Sequence, residues 1–210
     1  MKQVFLLQRY CLYLLLFTLS ACTGVAVKEA ATVDPAVYEQ RSGKLTAITQ
    51  WGLTGKISLD DGDQGGSGKL RWDVNADQSE MGFRGAMGRG AWNLKMGPEG
   101  ASLKMADGTE QTATDVRDLI WEQVGWPVPL DALQWWARGL AAPGGSENEK
   151  FGPGGLLTSL RQFGWEVQFS RYDSVAGIEL PVRLKATRDN YRVKLAISRW
   201  RMDESHDPAN

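Results

Sequence analysis

From Trp51 to Ile197 apolar and polar residues alternate along the chain, and the alternation is broken once, between Thr114 and Leu140. A period of two places every second side chain on one face of a strand. By this rule Trp51, Leu53, Ile57 and Leu59 mark a first strand, and Leu70, Trp72 and Val74 a second. Met81 and Phe83 mark a third, Trp92, Leu94 and Met96 a fourth, and Leu103 and Met105 a fifth. A short strand at about Glu110 to Ala113 ends the run. Strands resume at about Leu156 to Gln162. Then Trp165, Val167 and Phe169 alternate with Glu166, Gln168 and Ser170, and Val182, Leu184 and Ala186 with Arg183, Lys185 and Thr187. Tyr191, Val193, Leu195 and Ile197 alternate with Arg192, Lys194 and Ser198. One apolar and one polar face per strand fits an antiparallel sheet that is wet on one side. Turn chemistry separates the strands: Asp60 to Gly68, the glycine-rich Gly85 to Gly90, Gly97-Pro98-Glu99-Gly100, and Asp107-Gly108.

The break reads TDVRDLIWEQVGWPVPLDALQWWARGL. Thr114 or Asp115 can cap a helix whose apolar positions, Val116, Leu119, Ile120 and Val124, recur at helical spacing. Gly125 closes that helix, and Pro127 and Pro129 forbid its continuation. A second helix opens near Leu130 and carries Leu133, Trp136, Ala137 and Leu140 on one face. Neither is long enough to be stable alone, so both must lie on the sheet. A third helix, with a weak apolar stripe of Val37, Leu45 and Ile48, is expected from about Pro35 to Thr49, behind Asp34-Pro35. The segment Ala141 to Gly155, rich in Gly, Pro, Ser and charge, reads as a long loop. About ten or eleven strands in one meander exceed what a flat sheet tolerates, so the sheet should curl into a barrel or part-barrel. The expected fold class is mainly β with short helices: a curled antiparallel sheet covered by two helices.

The N-terminus sets the compartment. Lys2 and Arg9 supply a positive region, and the apolar run Tyr10 to Leu19 is too short to span a bilayer as a helix. Leu19-Ser20-Ala21-Cys22 then resembles a bacterial lipobox, which implies that residues 1–21 are a signal peptide and that Cys22 is lipidated as the first mature residue. Residues 22–33 read as a tether, 34–202 as a single domain and 203–210 as a polar tail. Of the two cysteines, Cys11 lies in the removed segment, which leaves Cys22 without a disulfide partner. Stability must then come from the core, and a mature chain of 189 residues is long enough to bury one. Taking Lys2 and Arg9 from the 24 basic residues leaves 22 against 25 acidic, so nothing favours nucleic acid as a partner. Thr23 after the Cys, rather than Asp, implies by the lipoprotein resemblance release to the outer membrane.

Nine Trp and six Met in 210 residues change the picture of the apolar face. Trp51, Trp72, Trp92, Trp121, Trp136 and Trp165 fall at apolar-facing positions by period, and Met81, Met96 and Met105 share the strands' apolar face. An ordinary aromatic core explains them. So does a cavity, because Trp and Met offer large, adaptable surfaces to a ligand of variable shape. The expected cavity lining is Trp72, Val74, Met81, Phe83, Trp92 and Leu94, with Met96, Leu103, Met105, Phe169, Leu184 and Leu195. The lid would be Ile120, Val124, Leu133 and Trp136.

Gly125-Trp126-Pro127-Val128-Pro129-Leu130, followed by Leu133, Trp136, Gly139 and Leu140, resembles the G-x-P-x-P-L-x-x-L-x-x-W-x-x-G-L signature of the LolB family of outer-membrane lipoprotein receptors. Tyr172-Asp173, Leu180-Pro181 and Trp200 fit its C-terminal part, so the resemblance covers about Trp51 to Trp200 plus the lipobox. The family is an incomplete barrel with a helical lid over an apolar cavity. The resemblance implies a lipid-anchored receptor at the outer membrane, facing the periplasm. It would take acylated lipoproteins from the periplasmic carrier LolA, place them in outer-membrane lipid, work as a monomer and need no cofactor. Gly85-Ala86-Met87-Gly88 sits where the family carries a protruding loop tipped by an apolar residue, so Met87 is the expected membrane-contacting residue. Here it is Met where the family commonly has Leu.

Enzyme chemistry finds little support. The single histidine, His206, lies in the polar tail. Gly65-Gly66-Ser67-Gly68 is followed by Lys69 and is not a nucleophile elbow. Asp60, Asp61 and Asp63 lack the glutamate of a calcium loop, and a hairpin turn explains them. Gly85 to Gly90 lacks the Lys-Ser/Thr of a phosphate loop. No metal site is expected. A lipocalin-like protein binding a free fatty acid and a structural scaffold lipoprotein are the other readings.

Overall fold

The computed structural model describes residues 35–86, 90–125 and 128–202. Expectations for the signal segment, Cys22, the tether, Met87, the Trp126-Pro127 pair and the polar tail lie outside the described residues.

The strands are β1 (Gln50–Asp60), β2 (Gly65–Asn75), β3 (Gln78–Gly85), β4 (Trp92–Gly97), β5 (Gly100–Met105), β6 (Glu110–Ala113), β7 (Glu147–Gly152), β8 (Leu156–Gln162), β9 (Trp165–Val175), β10 (Ile178–Arg188) and β11 (Tyr191–Met202). Helix α1 spans Pro35–Ala47, α2 Val116–Val124 and α3 Leu130–Ala137. All strands join one antiparallel sheet in the order β6-β5-β4-β3-β2-β1-β11-β10-β9-β8-β7. Every hairpin pairs its own two strands, and the first and last strands pair with each other at the centre. The sheet curls without closing, with β6 and β7 as its free edges. The chain between those edges is the α2–α3 segment, so the helices cross from one edge to the other.

Two local devices set the curl. The β1–β11 register shifts between Thr54 and Gly55, leaving Ser198 as an extra residue between Ile197 and Arg199. Such a bulge bends the strand and explains why inward positions pass from Ile197 to Trp200. At Gly55 a Cβ would stand 2.3 Å from the Ala196 carbonyl oxygen, so only glycine allows the strands this approach.

The alternation predicts the buried face well: Trp51, Trp72, Trp92, Trp136 and Trp165 are all buried in one apolar cluster. Three expectations are corrected. Residues 141–155 contain strand β7, whose sequence ENEKFG carries one apolar side chain, Phe151, packed on Tyr38, because it is an edge with little to bury. Trp121 is 53% exposed rather than core-facing. It follows Ile120 by about 100° around the helix, which turns it off the stripe. On α1 the buried residues are Tyr38 and Leu45, while Val37 is exposed.

Candidate functional site

Helices α2 and α3 lie over the apolar face, and the chain holds them unequally. Asp115 caps α2 by accepting from the Arg117 N–H at 2.8 Å, and Gly125 ends it in the left-handed conformation, φ +70°. Among its nine residues only Leu119 and Ile120 are buried, and α2 rests on β5 and β6. By contrast α3 buries Leu130, Ala132, Leu133, Trp136 and Ala137. Its Trp136 donates to Gln162 Oε1, and its C-terminal end is clamped from two directions.

The clamp is built of residues that periodicity does not single out. Arg41 on α1 donates to the carbonyls of Gly139 at 3.1 Å, Arg138 at 3.2 Å and Glu179 at 2.6 Å. A cation on the last carbonyls of a helix is favourable both as a hydrogen bond and against the helix dipole. Arg138, 4% exposed, points back and donates to the Leu45 carbonyl at 3.0 Å. Its guanidinium stacks over Trp51 and Trp135 at 5.3 and 4.9 Å from the ring centres. Burial without a carboxylate partner pulls its pKa down to about 10. Tyr38 supports the same corner by accepting from the Ala141 N–H, and Tyr172 donates to the Leu157 carbonyl at 2.7 Å. Burial raises the Tyr172 hydroxyl above its ordinary value. Gly139, with φ +75°, fits here because a Cβ would meet Tyr172 Oη at 2.9 Å and Pro181 Cγ at 3.0 Å. Trp200 Nε1 closes the corner by donating to the Pro181 carbonyl at 2.9 Å.

The residues expected to line a cavity converge on one side of the sheet. Trp72, Met81, Leu94 and Leu103 are fully enclosed, Val74, Trp92, Phe169, Leu184 and Leu195 are buried, and Phe83, Met96 and Met105 pack on them partly buried. Phe83 stacks on Trp92 at 5.4 Å, and Trp72 Nε1 donates to Ser79 Oγ. Of the expected lid, Ile120, Leu133 and Trp136 are buried and Val124 is partly so. In this conformation the set packs as a core.

The open volume lies along the seam between helices and sheet. An opening of about 580 Å³ is lined by Arg117, Asp118 and Trp121 of α2, Val128, Pro129, Asp131 and Ala132 around the start of α3, and Phe163, Trp165, Arg188 and Tyr191 at the hairpin tips. A second, of about 460 Å³, runs between the same helices and the ends of β3–β5, with Met96 in its wall. The two share Arg117 and Asp131, so they adjoin at the N-terminal ends of both helices. Trp121 and Phe163, both about half exposed, rim the larger opening. Trp165 at its wall is fully buried, its Nε1 has no hydrogen-bond partner, and the Arg188 guanidinium covers its ring at 5.0 Å. The larger opening combines apolar walls that suit an aliphatic ligand with the charged residues Arg117, Asp118, Asp131 and Arg188, and the second is lined mostly by polar residues. Among the described residues no three His, Cys, Asp or Glu side chains converge to hold a metal. The aspartates of the β1–β2 turn are occupied locally: Asp60 accepts from Gly62 N–H, and Asp61 from the N–H groups of Asp63 and Gln64.

Residues 49–200 match the family described as outer membrane lipoprotein LolB. The chain is 32% identical over 196 residues to the outer-membrane lipoprotein LolB of Pseudomonas syringae pv. syringae (strain B728a), covering 92% of this chain and 96% of that one. It is 33% identical over 195 residues to the protein of the same name from Pseudomonas putida (strain KT2440), covering 91% and 95%. In fold it is similar to a solved LolA superfamily protein from Nitrosomonas europaea, with a TM-score of 0.50 at 10% identity over 85% of this chain and 97% of that one.

Proposed function

The chain belongs to the LolB family of outer-membrane lipoproteins, and from that premise we propose that it receives acylated lipoproteins from the periplasmic carrier LolA and inserts them into the outer membrane. Its role is lipoprotein localisation at the outer membrane. The finer reading has it anchored through acylated Cys22 and facing the periplasm, with the acyl chains of the client lying between the sheet's apolar face and the helices.

The unequal hold on the two helices carries this reading. Helix α3 is fixed by five buried residues and by the Arg41 clamp, whereas α2 is held by two buried side chains and one polar cap. Lifting α2 alone would join the two openings and expose Met96 and the residues behind it. Each methylene of an acyl chain costs about 0.8 kcal/mol in water, so a client crosses an aqueous space only if its chains stay covered. Leaving the carrier then needs a second apolar face offered at an open mouth, and no bond is made or broken. Trp121 and Phe163 give that mouth an apolar rim.

The experiment is direct. A soluble Cys22→Ala form is incubated with a LolA–lipoprotein complex and the two are separated. The expected result is lipoprotein on the Cys22→Ala protein, with amides of α2 exchanging faster than those of α3. Lipoprotein remaining wholly on the carrier, while a fluorescent free fatty acid binds, would replace this reading with a fatty-acid-binding protein.

A further inference from the structure

The outward face of the central strands carries a band of cations that nothing in the described chain neutralises. In the register, Lys56 of β1 stands opposite Lys69 of β2, and Lys69 opposite Arg84 of β3. On the other side of β1, Lys194 of β11 stands opposite Lys185 of β10. Arg183 lies two residues from Lys185 on the same face, and its β11 partner is Ala196, which in turn pairs with Lys56. Like charges directly across strands destabilise a sheet. Five of these six side chains are exposed, Lys185 is half-buried, and among the described residues none of the six pairs with a carboxylate. Their neighbours behave differently: Arg71 and Arg201 hold Asp73, Arg171 holds Asp173, and Arg192 faces Asp60. The protein as a whole has a net charge of −1, so the band is not a product of composition.

The band also has relief. A shallow depression of about 390 Å³ on this face is walled by Lys56, Arg183, Lys185 and Lys194. The polar residues between them are Ser58, Ser67 and Ser170, and no carboxylate enters its wall. Ammonium, guanidinium and hydroxyl donors converging without an acceptor of their own fit phosphate oxygens. The band runs over five neighbouring strands, about 20 Å across at the usual strand spacing, which is broader than one small anion and suits a surface bearing many.

We propose that this outer face of β1–β3, β10 and β11 is a docking surface for the phosphate headgroups of a lipid bilayer. The proposal rests on the reading of Cys22 as a membrane anchor. From Cys22 to Pro35 the chain reaches about 45 Å when fully extended, so the domain stays within reach of the bilayer without a fixed orientation. Screening limits attraction to roughly 8 Å at physiological salt, so the band acts only once the face approaches the membrane, and it then selects one orientation of the tethered domain. The absence of compensating carboxylates is the cost in fold stability of keeping the face free for this contact.

The test uses the mature chain with Cys22→Ala, which removes the anchor, and co-sedimentation with vesicles. With phosphatidylglycerol vesicles at low salt the protein should bind, with an affinity that falls steeply as salt rises; with neutral phosphatidylcholine it should not. The variant K56E/K69E/K185E/K194E should lose tenfold or more of that binding. Its fold is checked by its thermal midpoint, and Lys69→Glu alone, which places a carboxylate between Lys56 and Arg84, should raise the midpoint at low salt. Unchanged vesicle binding by the fourfold variant, or equal binding of the parent to neutral vesicles, overturns the proposal. Binding to soluble polyglutamate but not to anionic vesicles also overturns it, in favour of an acidic protein partner. Receipt of lipoprotein from the LolA complex should be the same in the parent and the fourfold variant, so failure of this surface and failure of the receptor reading are read separately.

Discussion

The indole N–H of Trp136 on α3 donates to Oε1 of Gln162 on β8 at 2.9 Å, inside the core. The same oxygen accepts from the Ala142 N–H, and the Gln162 amide nitrogen donates to the carbonyls of Ala142 and Gly145. One buried side chain therefore satisfies four groups from the helix and from the segment that follows it. Gln162→Leu keeps much of the volume and leaves the four without partners. At about 1–3 kcal/mol for an unsatisfied buried group, partly relieved by local shifts, the loss should be about 3–5 kcal/mol in urea unfolding. A loss under about 1 kcal/mol would mean that the fixed position of α3 comes from apolar packing alone.

Gly139→Ala should be costly for two reasons at one site. The position has φ +75°, and the added Cβ meets Tyr172 Oη and Pro181 Cγ at 3.0 Å or less. We expect a loss of about 2–3 kcal/mol. Gly82→Ala, whose nearest contact would be 3.9 Å away, should stay within about 0.5 kcal/mol of the parent.

Asp73 should contribute to acid sensitivity. Partial burial pushes its carboxyl up, but the hydrogen bonds and charges of Arg71 and Arg201 outweigh this and hold it below the ordinary 3.8. A carboxyl whose pKa is lower folded than unfolded adds stability above the unfolded value, and that stability is lost as pH falls through the folded value. Asp73→Asn should therefore be less stable than the parent at neutral pH, and the gap should close below pH 3.8. A gap independent of pH would show that the carboxylate charge contributes nothing.

The rim of the larger opening should separate function from stability. Trp121 and Phe163 are exposed, so Trp121→Ser with Phe163→Ser should change unfolding free energy by less than about 1 kcal/mol. The rate at which lipoprotein moves from LolA to the protein should fall severalfold. An unchanged rate places the point of entry elsewhere.

Met87 is proposed to touch the bilayer during release. Burying one Met side chain contributes at most about 1.5–3 kcal/mol, too little to hold a protein at a membrane but enough to bias its orientation. Met87→Glu should leave folding and acceptance intact and slow delivery to liposomes, with lipoprotein accumulating on the receptor. Delivery at the parent rate would remove the loop from the mechanism.

The strands and their buried face were legible in the sequence because alternation is a local property. Trp72, Leu94, Val167 and Leu195 point inward for the same reason that their neighbours point outward. Thr114 or Asp115 and Gly125 marked the ends of α2 because caps are written in one or two residues, and the structure assigns the first cap to Asp115. Strand β7 escaped because an edge strand with a single apolar side chain, Phe151, carries no alternation. Trp121 was assigned to the apolar face by period, but it follows Ile120 by about 100° around α2, which turns it off the buried stripe.

What only the tertiary structure decided were the relations between residues far apart in the chain. Arg41 reaches carbonyls about a hundred residues away, Gln162 meets Trp136 across 26 residues, and Arg138 finds Leu45 across 93. No local pattern encodes such partners, because each depends on how the sheet curls and where its edges leave the helices. The cationic band has the same origin: each lysine reads singly as an ordinary polar position, and only the register sets Lys56 against Lys69 and Lys185 against Lys194.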